Sequence, residues 1–63
     1  MNGTITLDIT QDRQVICNAR RNEPYSHRRA IYKLSQFGDV LAFVSGAAED
    51  INDPGAKWEA NNE

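Results

Sequence analysis

Cys17 is the only cysteine in this chain of 63 residues, and that fact limits what the chain can become. A domain this small buries only about 60% of the surface its unfolded form exposes, which leaves little margin of stability. Chains of this size usually add disulfides, a bound metal or a second subunit. One cysteine closes no internal disulfide. Cys17 and the single histidine, His27, fall short of the four ligands a structural zinc site takes. Association is the device that remains, so the expectation is a homodimer or a chain docked on another protein.

Cysteine usage also bears on compartment, because secreted domains of this size are disulfide-rich. The stretch from Met1 to Thr6 lacks the basic and apolar regions of a signal peptide. Gly3 does not follow Met1 directly, as the myristoylation pattern requires. The longest apolar run, Val40 to Val44, is far short of the ~20 residues a membrane span needs. These features predict a cytoplasmic protein with no membrane partner.

Net charge is −2, but it is unevenly spread. Residues 1–12 carry Asp8 and Asp12. Residues 13–33 carry Arg13, Arg20, Arg21, Arg28, Arg29 and Lys33 against Glu23, a net of +5. Residues 34–63 carry Lys57 against Asp39, Glu49, Asp50, Asp53, Glu59 and Glu63, a net of −5. A basic middle and an acidic end predict two surfaces with separate tasks, or two blocks that neutralise each other within a chain or across a dimer.

The segment Thr4-Ile5-Thr6-Leu7-Asp8-Ile9-Thr10 alternates polar and apolar residues without a break, the period of a half-buried strand over residues 4–10. Residues 11–21 admit two readings. As a strand, Val15, Cys17 and Ala19 alternate inward, with Thr10 to Arg13 as a hairpin turn and Ile16 out of pattern. As a helix, Val15, Ile16 and Ala19 share one face, with Thr10 as N-cap. Pro24 then interrupts the chain, and Ser26 is a good N-cap. The apolar positions Ala30, Ile31, Leu34, Phe37, Leu41, Val44 and Ala48 follow at steps of three and four, which predicts a main amphipathic helix over residues 26–51. Gly38 leaves open whether it kinks. Asp53-Pro54 opens a short C-terminal helical turn within the tail 53–63. The expected architecture is one α+β domain over residues 1–63: an N-terminal strand or β-hairpin packed on one long, possibly Gly-kinked helix.

Catalytic chemistry has little footing. Cys17 and His27 could form a nucleophile–base pair, but neither sits in an orienting motif, and Cys17 reads as a small buried apolar residue. The acids Glu49, Asp50 and Asp53 lack a calcium-loop pattern, and no glycine-rich phosphate loop is present. The expectation is therefore no enzyme, no cofactor and no metal.

The basic cluster is the better lead. Arg20, Arg21, Arg28, Arg29 and Lys33 form the expected partner-binding ridge, with Arg28, Arg29 and Lys33 on the opening turns of the predicted helix. Arginine suits forked recognition of carboxylate or phosphate. Tyr25, Trp58 and the small-residue stripe Gly38, Ala42 and Gly46 are candidate interface residues. Trp58 could equally fold back onto the stripe, which otherwise merely spares the strand a clash.

Two functions follow. The first is a small non-enzymatic regulator or inhibitor acting by protein–protein binding, a composition seen in accessory proteins of phages and plasmids. The second is nucleic-acid binding. By pattern, the strand Thr4–Thr10, a possible helix from Gln11 to Asn22 and a helix opening at Ser26 loosely resemble the ribbon-helix-helix repressors. That resemblance implies paired strands in the DNA major groove, read through Thr4, Thr6, Asp8 and Thr10. Asp8 and Pro24 depart from the family pattern.

Overall fold

A computed structural model of the chain describes residues 2–53. Their order is β1 (Gly3–Ile9), β2 (Gln14–Arg21), β3 (Ser26–Lys33) and α1 (Phe37–Asn52). The strands form one antiparallel sheet in the order β1-β2-β3, and α1 covers one face of it. The class is α+β, and α1 is the one helix among the described residues.

The first hairpin resolves the open reading of residues 11–21 as strand. Thr10 N–H donates to the Gln14 carbonyl at 2.9 Å, and Arg13 N–H donates to the Thr10 carbonyl at 3.1 Å. Arg13 takes φ 60, the left-handed conformation with which this kind of short hairpin loop closes. In register, Ile5 faces Ala19, Leu7 faces Cys17 and Ile9 faces Val15. Val15, Cys17 and Ala19 are all buried beneath α1.

The largest correction concerns residues 26–33, expected to open the main helix. They form β3, paired with β2 from Gln14↔Lys33 to Arg21↔Ser26. Ser26, Arg28, Ala30 and Tyr32 turn toward the helix, while His27, Arg29, Ile31 and Lys33 turn away. Ala30, Ile31 and Leu34 fit a helical phase by coincidence of spacing. The partner strand supplies the hydrogen bonds, and β-branched and aromatic residues suit it, so tertiary pairing overrides the local pattern. Ile16, out of pattern on β2, lies opposite Ile31 on the uncovered face.

The helix therefore starts at Phe37, with Gln36 and not Ser26 as its cap. Gln36 accepts from Asp39 N–H and Val40 N–H through its carbonyl, and its side-chain Oε1 accepts from Lys33 N–H at 2.8 Å. Gly38 falls in the first turn, so no kink is needed there. Val40, Phe43, Ala47 and Ile51 point into the sheet, and Phe43 meets Tyr32 edge-on at 6.5 Å between ring centroids. Close approach occurs at Gly3 and not at Gly38. A side chain at Gly3 would strike the Arg20 carbonyl and come within 2.9 Å of Ile51 Cγ1, whereas one at Gly38 would meet nothing. The core is built largely from small residues. No described helix is long and apolar enough to cross a membrane. The expected C-terminal turn and Trp58 lie outside the described residues.

Candidate functional site

With α1 on one side, no other described element covers the opposite, open face of the sheet, whose side chains fall in rows across the strands. The first row is Thr4, Arg20 and His27; the second is Thr6, Asn18 and Arg29; the third is Asp8, Ile16 and Ile31; Gln14 and Lys33 make the last. The isoleucine pair is thus bordered by Arg29 on one side and Lys33 on the other. Ile31 is 47% exposed. His27 Nε2 lies 3.2 Å from Asn18 Oδ1, which fixes the imidazole over the sheet.

Two open depressions flank the isoleucines. One, of about 240 Å³, is lined by Thr4, Thr6, Asn18, Arg20 and His27. The other, of about 540 Å³, is lined by Asp12, Arg13, Gln14, Lys33, Leu34 and Ser35. The first holds Arg20 and the second Arg13 and Lys33, and Asp8 is the one acid in the strand rows of this face. The exposed acids Asp39, Glu49 and Asp53 belong to the helix side. The strand alternation thus converts a charge split along the chain into a charge split across the sheet.

The five residues of the expected ridge divide. Arg20, Arg29 and Lys33 stand exposed on the open face. Arg21 and Arg28 turn to the helix side because they sit at odd steps from their neighbours in the pleat. Arg21 Nη1 pairs with Asp50 Oδ1 at 2.6 Å, and its Nε donates to the Pro24 carbonyl at 2.7 Å. This pairing occupies Asp50, one of the three acids near the helix end. Tyr25 is 70% exposed in the β2–β3 turn, which follows a cis Glu23–Pro24 bond. The Asn2 side chain grips that turn, donating to the Glu23 carbonyl at 2.8 Å and accepting from Glu23 N–H at 3.0 Å. On the helix, Gly38 and Ala42 are exposed and Gly46 is half-buried.

Cys17 and His27 are not brought together. Cys17 is fully buried under α1, and burial pushes its thiol above the ordinary value, while His27 stands on the opposite face of the sheet. Among the described residues, no group of three or more His, Cys, Asp or Glu is placed to hold a metal ion. The order β-β-β-α also differs from the strand-helix-helix order of the ribbon-helix-helix repressors. Ile16, Asn18 and Ile31 are members of the open face that the sequence pattern concealed. The alternation His27, Arg29, Ile31, Lys33 was the available clue.

Comparison of the chain with protein-family models, with curated proteins and with solved structures finds no match. The face is therefore read from its own chemistry.

Proposed function

We propose that this protein is a small non-enzymatic regulator or inhibitor that binds an acidic surface of a larger protein through the open face of its sheet. One observation carries the reading: the isoleucine pair of the open face, half-buried Ile16 and exposed Ile31, is bordered by Arg29 and Lys33, with Arg20 and His27 two rows away. An apolar centre with a polar rim is the usual anatomy of a protein interface, and arginine is enriched there. Carboxylates of the partner meet the guanidinium groups in forked geometry, and the isoleucines exclude water at the centre. The acidic helix lies behind the sheet, away from the contact.

A second reading, nucleic-acid binding, is favoured by the placement of Asn18 directly opposite Arg29, since both side chains can hydrogen-bond to base edges. Sheets do serve as readers in that role.

Immobilised protein and an Arg29→Ala/Lys33→Ala variant, matched in circular dichroism, separate the two. The protein reading expects a stoichiometric acidic partner held by the native chain and lost from the variant. Titration with duplex DNA should show no binding at low salt. Tight DNA binding that weakens by about 0.9 log units per phosphate contact for each log unit of salt would replace the first reading with the second.

A further inference from the structure

The two edges of the sheet differ. The β3 edge carries Arg28, Arg29 and Lys33 with no acid, so pairing it with its own copy brings like charges together, a common safeguard of edge strands. The β1 edge, Gly3 to Ile9, has no Lys, Arg or Pro and a single charge, Asp8. Backbone direction in β1 is fixed at both ends. The Asn2 carbonyl accepts from Asn22, and Thr10 N–H donates to Gln14, so the even-numbered residues turn their backbone groups toward β2. Gly3, Ile5, Leu7 and Ile9 therefore aim their N–H and C=O groups out of an edge that no described strand pairs. The side chains of Leu7 and Ile9, on the helix side of the sheet, are 46% and 68% exposed.

We infer that a second copy of this chain pairs its β1 antiparallel against β1, with Thr6 on the two-fold axis, making one six-stranded sheet. In that register Leu7 opposes Ile5 of the other copy, and Ile9 opposes Gly3. These are the residues with outward backbone groups, so both strands satisfy their hydrogen bonds. The two exposed apolar side chains gain neighbours of their own kind. Ile9 comes beside Ile51 of the other copy, whose side chain covers Gly3. On the open face Thr6 meets Thr6, a favourable cross-strand pair. Asp8 comes beside Thr4 of the other copy, in one row with that copy's Arg20, so its charge meets the opposite sign. No like charges face each other across the seam. Both helices fall on the same side, and both basic faces join into one. The inference does not depend on what the open face binds.

The solution mass of the full chain tests it, by sedimentation equilibrium. The native protein should weigh twice 7.1 kDa, and Ile9→Lys, at a position already exposed in the single chain, should weigh half as much with unchanged circular dichroism. Oxidation checks the register. Thr6 and its copy form a non-hydrogen-bonded pair, about 4.5 Å apart at Cα, within disulfide range. Thr6→Cys should cross-link into a covalent dimer. Thr4→Cys should not, because its copy lies about 14 Å away. The native chain, with only buried Cys17, is the control. A native monomer overturns the inference, as does a dimer that Ile9→Lys leaves intact or that Thr4→Cys links in place of Thr6→Cys. An Ile9→Lys monomer that retains the partner protein would leave the reading of the open face standing.

Discussion

Arg21 Nη1 lies 2.6 Å from Asp50 Oδ1, with the two side chains 14% and 7% exposed, so one ion pair fastens the last turn of α1 to the end of β2. It does so where the helix needs it. The acids Glu49, Asp50 and Asp53 crowd the negative end of the helix dipole, the last turn has no basic residue of its own, and Arg21 brings positive charge to that end.

Removing one partner leaves the other short of water and of charge. Asp50→Ala should cost about 3 kcal/mol, at the lower end for such pairs because Arg21 keeps its bond to Pro24. An Arg21→Met/Asp50→Leu double variant should cost less than Asp50→Ala alone, since two apolar side chains need no partner. Urea unfolding midpoints of the variants decide this. Simple additivity would mean the pair does not act as a unit.

Gly3 has no room for a side chain. Gly3→Ala pushes a methyl group against the Arg20 carbonyl and Ile51, and overpacking of this kind costs about 1–3 kcal/mol. Gly38→Ala, which meets nothing, should gain up to about 1 kcal/mol from helix propensity. Thermal unfolding of the two variants should therefore move in opposite directions.

Arg13 carries a side chain at φ 60, a conformation that costs a non-glycine residue about 1 kcal/mol. Arg13→Gly removes that strain but adds about 0.5 kcal/mol of unfolded-chain entropy. The net expectation is a gain of roughly 0.5 kcal/mol, read as a rise of about 3 °C in the unfolding midpoint. A fall would show that the arginine side chain itself supports the turn.

Stability should decline on the alkaline side. Burial raises the Cys17 thiol above its ordinary 9.0. Burial first, then Cys17 and Asp39, raises the Tyr32 phenol above its ordinary 10.0. In both cases the unfolded chain releases its proton at a lower pH than the folded protein does. The contribution is whole below about pH 9 and is lost as pH rises through the folded-state titrations. Urea midpoints measured from pH 7 to pH 11 should fall, and Tyr32→Phe should flatten the upper part of the curve. Thiol reagents at neutral pH should label Cys17 only after unfolding.

The first strand was plain in the sequence because one face of β1 is apolar and the other polar, with nothing to confuse the period. The strand reading of residues 11–21 was open because Ile16 breaks the alternation. Its reason is a partner, Ile31, that lies on another strand and leaves no local trace. The sequence pattern places the start of the main helix about eleven residues too early, because Ala30, Ile31 and Leu34 match a helical phase by chance, and only pairing with β2 makes them strand. The same error misplaced the basic ridge. Three of its residues, Arg20, Arg29 and Lys33, do share a surface. Arg21 and Arg28 do not, since the pleat sends alternate side chains through the sheet.

The split of charge across the sheet has a consequence before any contact is made. With Arg20, Arg29 and Lys33 on the open face and Asp39, Glu49 and Asp53 behind it, the described residues set exposed charge of opposite sign on the two sides of the sheet. A charged surface at a distance exerts a torque on such a body. Near a negatively charged neighbour, the protein should arrive already turned, with the open face first.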